Sequence, residues 1–402
     1  MSEFVPAMRV SRIKSSASVA AAARVRELKA EGRRILDLTV GEPDFDTPEH
    51  IKAAAVEAIS KGETKYTSVT GTPALQKAIL QTIELRTGLH YSPAEITIGG
   101  GAKQVIFTAF MASLDAGDEV IVPAPYWVSY PDMVLANEGT PVVVPCGEDV
   151  GFKLTPQALA GSLNERTKWV ILNTPSNPTG AVYSRDELGA LADVLAGFPQ
   201  IYVLTDEIYG QIYFGEGRLA SLAEVAPELK DRILAVNGVS KAYAMTGWRL
   251  CYAAGPAPLI AAINKLQSQI SSCPSSVSQA ASAAALTGDQ GFVRESVEIY
   301  RSRRDMAVAA LNAVDGMSCA TPEGAFYAYV NCAGAIGKTT REGKTIRDDQ
   351  DFVLYLLDHA SVAAIPGSAY GLGPYFRISY ATSLDVIEES VAAIDKAVQA
   401  LS

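Results

Sequence analysis

The chain has 402 residues, 48 % of them hydrophobic and 19 % charged, so it is about two to three times the usual single-domain length and can bury a large core. Its formal net charge of −10 gives no extended positive field. We also find no lysine or arginine run that could follow a phosphate backbone, so nucleic acid is not an expected partner.

Cysteine and histidine usage argues against a metal centre. The three histidines are far apart, and the five cysteines form no Cys-x-x-Cys pair, which gives no zinc-ligand spacing and suits a reducing compartment. No apolar run approaches the ~20 residues that a membrane span needs. We therefore expect a cytoplasmic protein with no metal and no membrane partner.

The first predicted elements are a helix and a short strand. The helix covers about residues 18–31 and ends at Gly32, and the apolar run Ile35–Val40 predicts the strand. Gly41-Glu42-Pro43-Asp44 then interrupts the chain.

Short apolar strands separated by helical segments follow, up to about residue 255. Continuous apolar runs, rather than alternating ones, indicate strands that are covered on both faces of a mostly parallel α/β sheet. The seven predicted strands are Ile96–Ile98, Glu119–Val122, Val142–Val144, Trp169–Leu172, Ile201–Leu204, Ile233–Val236 and Leu250–Ala253.

Beyond residue 255 the pattern is helical and then becomes a smaller mixed region. We predict two domains: a large α/β domain over 48–295, and a smaller α+β domain built from 1–47 and 296–402.

Three places in the large domain carry chemistry. The first is Gly99-Gly100-Gly101-Ala102-Lys103, which directly follows a predicted strand and opens a helix. Backbone N–H groups in such a turn can bind an anion at the helix N-terminus. The spacing matches neither a Walker nor a dinucleotide fingerprint, and a plain turn is an equally good interpretation.

The second place is Asp206, at the end of the apolar run that starts at Ile201. A buried carboxylate is costly unless a cation pairs with it, and a protonated ring nitrogen is such a cation. Tyr209 would lie near the same site. The alternative is that Asp206 caps a following helix.

The third place is Lys241, which follows another buried strand, where ligands of open α/β sheets bind. Partial desolvation and the nearby Arg249 would lower the pKa of Lys241, as imine formation requires. A solvated surface lysine is the alternative.

Taken together, these residues resemble the fold-type I, class I aminotransferases that depend on pyridoxal 5′-phosphate (PLP), and more closely the bacterial aspartate and prephenate aminotransferase subgroup. The resemblance covers nearly the whole chain. It is carried by the segments 40–45, Lys65-Tyr66, Pro125-Tyr126-Trp127, 173–180, 206–209, Ser240-Lys241 with Arg249, and 376–379.

The resemblance implies the fold-type I architecture and a role for each residue. Lys241 would carry PLP as a Schiff base and then act as general acid and base. Asp206 would keep the pyridine nitrogen protonated, so that the ring acts as an electron sink. Asn177 and Tyr209 would hydrogen-bond the phenolic oxygen, and Trp127 would stack on the ring and border the substrate.

Binding of the phosphate and of the substrate is implied in the same way. Gly101, Ala102, Lys103, Ser240 and Arg249 would hold the phosphate, with Tyr66 reaching in from a second subunit of a homodimer. Arg377 would bind the α-carboxylate with Asn177 and the Gly41 backbone. Lys14 would meet a distal carboxylate, although an exposed lysine in a mobile arm fits that position nearly as well.

The expected reaction is a ping-pong transfer of an amino group. It runs from an L-amino acid, either aspartate or another dicarboxylic or aromatic donor, to a 2-oxo acid such as 2-oxoglutarate. A PLP-dependent lyase or decarboxylase on the same fold is the alternative. A PLP-binding regulator would carry an N-terminal DNA-binding domain, and a non-catalytic relative would not need the retained polar residues.

Overall fold

A computed structural model describes residues 4–402. Its helices are α1 Met8–Ser11, α2 Ala17–Ala30, α3 Glu49–Ser60, α4 Pro73–Thr87, α5 Ala102–Ser113, α6 Tyr130–Ala136, α7 Pro156–Ser162, α8 Arg185–Ala196, α9 Leu222–Val225, α10 Ala257–Ile270, α11 Ser276–Thr287, α12 Gly291–Asn312, α13 Asp349–Tyr355 and α14 Leu384–Gln399. Its strands are β1 Leu36–Asp37, β2 Ile96–Gly99, β3 Glu119–Ala124, β4 Thr140–Pro145, β5 Thr167–Asn173, β6 Tyr202–Asp206, β7 Ile233–Gly238, β8 Cys251–Ala254, β9 Ser318–Cys319, β10 Tyr327–Asn331, β11 Val362–Ala363, β12 Ile365–Pro366 and β13 Tyr375–Ser379.

A seven-stranded sheet in the order β2-β8-β7-β6-β5-β3-β4 forms the larger layer. Strand β8 runs antiparallel to both of its neighbours, and the other pairs are parallel. The prediction of a mostly parallel seven-stranded α/β sheet is therefore confirmed. In the register, Asn173 lies opposite Asp206, and Asp206 lies opposite Val236, so the carboxyl ends of β5, β6 and β7 meet at one edge.

Helices cover both faces of this sheet, because its strands place apolar side chains on each face. Ile106 and Phe110 of α5 pack with Leu204 and Leu234 on one face. Helix α8 packs on the other face against Val203 and its neighbours. The continuous apolar runs of the sequence are thus explained by burial from two sides.

The smaller sheet has the order β12-β13-β10-β9 and is antiparallel. Helices α12 and α14 pack on it in a core that includes Phe352, Phe376 and Ile394. The Ser379 N–H donates to the Leu38 carbonyl at 2.8 Å, which joins β13 to the chain after β1. The exact limits of the two domains stay a prediction.

The predicted strand Ile35–Val40 is shorter than the sequence suggested. Only Leu36 and Asp37 pair, in parallel, with Val362 and Ala363. The Thr39 carbonyl instead accepts a hydrogen bond from the Arg377 side chain at 2.6 Å. After Asp37, the hydrogen bond with Arg377, more than three hundred positions away, thus takes the place of further strand pairing.

No helix within residues 4–402 combines the length and apolarity that crossing a bilayer requires.

Leu204 tests the sheet core, since its side chain is fully buried between β6 and α5. Leu204→Ala should lower the free energy of unfolding by about 2–5 kcal/mol through lost burial and a residual cavity. Denaturant unfolding of the variant measures this loss. The matched control Leu85→Ala removes a side chain that is 86 % exposed and should change stability little; equal losses in both variants would contradict this packing.

Candidate active site

A cavity of about 540 Å³ opens between the carboxyl edge of the seven-stranded sheet and strand β13. It brings together residues that are far apart in the sequence. Of the residues predicted for the site, it is lined by Gly41, Ala102, Lys103, Trp127, Asn177, Asp206, Tyr209, Ser240, Lys241, Arg249 and Arg377.

Lys241 lies in the turn after β7, and its amine points into this cavity. The Nζ atom donates to the Gly41 carbonyl at 2.5 Å. It also lies 5.6 Å from the Tyr209 ring centroid and 5.9 Å from that of Phe326. Lys241 is therefore held by one hydrogen bond beside two aromatic rings rather than by a carboxylate.

Burial lowers the pKa of Lys241 to about 8. The nearby Glu42 carboxylate opposes this shift, while the Arg377 and Arg249 guanidinium groups add to it. The sequence predicts the effects of desolvation and of Arg249, whereas the effect of Arg377 depends on the position of β13 in the fold. At this pKa roughly a tenth of the amine is unprotonated at pH 7, far more than for an ordinary lysine.

Asp206 ends β6 and is 3 % exposed. Its Oδ2 accepts from the Tyr130 hydroxyl at 2.6 Å, and its Oδ1 accepts from the Ile208 N–H at 3.2 Å. Burial raises the pKa of Asp206, against the effect of these hydrogen bonds. The helix-cap alternative is wrong, because turns follow Asp206 and the next described helix is α9 at Leu222–Val225. The carboxylate faces the cavity instead.

Tyr130 was missed by sequence reasoning. It is the first residue of α6, it is 1 % exposed, and its ring meets that of Trp127 edge to face at 5.3 Å. Its position three residues after Trp127 was the available signal. A buried tyrosine in such a segment looks the same in sequence as a core aromatic, and only the fold places its hydroxyl on Asp206.

Arg377 lies in the middle of β13 and is 2 % exposed. Its Nη1 donates to Asn177 Oδ1 at 3.1 Å and its Nη2 donates to the Thr39 carbonyl at 2.6 Å. Within residues 4–402, its buried Nε has no hydrogen-bond partner. The guanidinium is thus held in place by its two Nη atoms, while its Nε–H remains available to donate to an anion.

Two tyrosine hydroxyls meet at the same edge of the cavity. Tyr209 and Tyr327 lie 2.8 Å apart, oxygen to oxygen, and both are buried. Burial raises the pKa of Tyr209 well above its usual value. Tyr327 also packs on Arg377, with its ring centroid 4.4 Å from the guanidinium carbon. Sequence reasoning missed Tyr327.

The glycine-rich turn and Arg249 form one cradle. Gly101 precedes α5 with φ of +102°, and a Cβ there would collide with the Arg249 guanidinium, so the position requires glycine. Arg249 donates to the Thr246 carbonyl at 2.9 Å and to the Gly100 carbonyl at 3.3 Å. A guanidinium beside a helix N-terminus makes a site for a phosphate.

Three predicted residues do not line the cavity of this chain: Gly101, which lies in the turn before α5, Tyr66 and Lys14. Tyr66 is 90 % exposed and lies away from it. Lys14 is exposed, and its backbone N–H donates to Asp132 Oδ1 at 3.0 Å. Arg26 of α2 lines the cavity, although no sequence signal marked it. The roles given to Tyr66 and Lys14 stay predictions.

The chain is similar to known proteins over almost its whole length. Residues 33–394 match the family described as aminotransferase class I and II. An aspartate aminotransferase of Rhizobium meliloti is 52 % identical over 399 residues, which cover 99 % of this chain and 97 % of that protein. An aspartate/prephenate aminotransferase of Cereibacter sphaeroides is 50 % identical, covering 96 % of each.

Solved structures agree with this assignment. The crystal structure of the aspartate aminotransferase from Rhizobium meliloti superposes with a TM-score of 0.97 at 51 % identity, covering 100 % of both chains. That of the Thermus thermophilus enzyme with maleate gives a TM-score of 0.90 at 38 % identity, covering 98 % of this chain and 100 % of that one.

The residues of the cavity also fit PLP. The Gly101–Arg249 cradle suits its phosphate, the buried Asp206 carboxylate suits a protonated ring nitrogen, and the Lys241 amine suits its aldehyde. The resemblance drawn from the sequence is confirmed: this chain belongs to the aminotransferase class I and II family and is an aminotransferase whose cofactor is pyridoxal 5′-phosphate.

Proposed function

We propose that this protein transfers the amino group of an acidic L-amino acid, with aspartate as the first candidate, to a 2-oxo acid such as 2-oxoglutarate. The observation that carries the proposal is the convergence of Lys241, Asp206 and Arg377 on one cavity. The names of the relatives, aspartate and aspartate/prephenate aminotransferase, support the substrate class.

Bound PLP supplies an electron sink that stabilises negative charge at the substrate α-carbon. Lys241 moves the proton, because its amine lies in the cavity and its lowered pKa keeps part of it unprotonated. Glu42 borders the same cavity and accepts from the Thr246 hydroxyl at 2.7 Å. Its charge limits how far the pKa of Lys241 falls.

Asp206 holds the cofactor's ring nitrogen in its protonated state. A buried carboxylate without a cation is costly, so a protonated ring nitrogen beside it stabilises both groups. The Tyr130 hydroxyl fixes the carboxylate's orientation through the 2.6 Å hydrogen bond. Asn177, Tyr209 and Trp127 also line the cavity. Asn177 and Tyr209 would hydrogen-bond the phenolic oxygen of PLP, and Trp127 would pack against its ring.

Arg377 binds the α-carboxylate of the substrate. Two of its nitrogens are already fixed by Asn177 and Thr39, so its planar group does not need to be ordered on binding. The carboxylate then orients the α-carbon toward Lys241. The cradle of Gly101, Ala102, Lys103, Ser240 and Arg249 holds the phosphate.

We also propose that the protein is a homodimer and that Tyr66 completes the phosphate site of the other subunit. A tyrosine that is 90 % exposed in one subunit leaves much apolar surface in water, which burial against a partner would remove. The distal carboxylate of the substrate is assigned to Lys14. A cytoplasmic location fits the five free cysteines.

The first test is a half-reaction. Holoenzyme mixed with excess L-aspartate should lose the absorbance band of its lysine-bound cofactor and release one equivalent of oxaloacetate. Lys241→Ala should release none, and L-arginine serves as the control donor. Release of carbon dioxide, or of ammonia with a non-oxo product, would assign the protein to the alternative lyase and decarboxylase class.

The pH dependence of cofactor attachment tests the environment of Lys241. The amine must be unprotonated to attack, so the rate at which apoenzyme binds PLP covalently should rise with pH through a midpoint of about 8. Glu42 is the larger of two carboxylates that raise this pKa, the other being Asp206, so Glu42→Gln should move the midpoint lower. A midpoint near that of a free lysine, ~10.4, would refute the assignment.

Arg377→Leu should raise the KM for both aspartate and 2-oxoglutarate. Loss of a charge-assisted pair of about 2 kcal/mol corresponds to roughly a thirtyfold weaker affinity. Steady-state kinetics measures the two KM values. Arg377→Lys keeps the charge without the two-pronged guanidinium, and its KM values should lie between those of the native enzyme and Arg377→Leu. Unchanged KM values would remove Arg377 from the substrate site.

Mixed dimers test the role of Tyr66. A subunit carrying Lys241→Ala and another carrying Tyr66→Ala should each be impaired as homodimers. If Tyr66 acts across the interface, their heterodimer contains one site with both native residues and should recover about half of the native activity per dimer. Failure to recover activity would place Tyr66 outside the neighbouring site.

A further inference from the structure

A second cavity of about 390 Å³ lies beneath the carboxyl-terminal end of α4, and we name it the α4 cavity. Its other walls are the segment after β6 and the first turns of α12. None of its lining residues lines the active-site cavity. It is therefore a separate space within the same chain.

The interior of the α4 cavity is apolar and aromatic. Ile83, Leu89, Leu219 and Val293 supply aliphatic surface, and Tyr91 and Tyr252 supply rings. Such walls suit a flat aromatic group, since ring faces and edges pack against one another favourably.

Two polar atoms at this cavity lack partners. Within residues 4–402, the Tyr91 hydroxyl and the Gln211 side-chain nitrogen are buried without any hydrogen bond. Leaving such groups unsatisfied costs stability of about 1–3 kcal/mol each. The carboxylate of a ligand is an acceptor that could satisfy the Gln211 nitrogen.

The charges favour an anion. Arg86 donates to the Tyr243 hydroxyl at 3.3 Å, and no carboxylate lies within ion-pair distance of it in the described chain. The acidic residue of the wall, Glu207, accepts from Ser221 at 2.9 Å, and burial raises its pKa to about 7. An anionic ligand would thus meet a guanidinium that has no carboxylate partner within residues 4–402 and a carboxyl group that is partly neutral.

We propose that the α4 cavity is a second binding site, for a small aromatic carboxylic acid, with the ring between Tyr91 and Tyr252 and the carboxylate on Arg86 and Gln211. The site adjoins the catalytic segments. Glu207 follows Asp206 in the chain, and the Tyr243 hydroxyl that Arg86 contacts belongs to the turn that carries Lys241. Occupancy draws Arg86 away from Tyr243 and so changes turnover.

Fluorine NMR of the holoenzyme with 3-(4-fluorophenyl)propanoate tests binding, with excess maleate present to occupy the active site. We expect saturable binding that maleate does not displace. Arg86→Gln should weaken it about tenfold or more, as expected for loss of a charge-assisted contact. Ala235→Leu, which fills the cavity from β7, should abolish it.

Lys77→Gln, on the exposed side of α4, is the matched control and should bind as the native protein does. Complete displacement by maleate, or equal binding by Arg86→Gln and the native protein, would overturn the site. The Arg86→Gln result decides even if Ala235→Leu does not fold. The probe should also change kcat at saturating substrates in the native enzyme but not in Arg86→Gln. Binding without a change in kcat would overturn the link to turnover.

Discussion

A carboxylate buried at the end of a central strand is the constraint on which the site depends. Asp206 is 3 % exposed, and the hydrogen bonds from Tyr130 and the Ile208 backbone hold it without neutralising its charge. Burial accordingly raises its pKa. A buried carboxylate is costly without a cationic partner, and under the proposed function the protonated ring of PLP would be that partner. The proposed role of Asp206 therefore links its burial to binding of the cofactor.

The same desolvation acts on Lys241 with the opposite chemical result. For a carboxylate, burial favours the protonated form, whereas for an amine it favours the unprotonated form. The same water-poor cavity therefore favours an unprotonated amine at Lys241 and, beside Asp206, a neighbouring group that carries a proton. Arg377 contributes twice, because it helps to lower the pKa of Lys241 and leaves its Nε available for an anion.

The fold positions these groups by joining two sheets. The parallel strands β5, β6 and β7 bring Asn173, Asp206 and the turn that carries Lys241 to one edge. Strand β13 belongs to the smaller sheet and presents Arg377 from the opposite side, where Thr39 and Asn177 hold it. A shift of one sheet against the other would therefore change the distance between Arg377 and Lys241.

The sequence by itself determined the α/β class, the number of strands in the large sheet and the family, because buried strands and motifs at their ends are local patterns. It also marked Lys241, Asp206 and Arg377. Only the tertiary structure decided that Tyr130 donates a hydrogen bond to Asp206 and that the Tyr327 and Tyr209 hydroxyls are hydrogen-bonded. It also decided that the Thr39 carbonyl, after Asp37, accepts from Arg377 instead of pairing in a sheet. These contacts join residues 76 to 338 positions apart. A tyrosine or an extended segment looks the same in sequence whether it fills a core or serves a site, and only the packing of the two sheets distinguishes them.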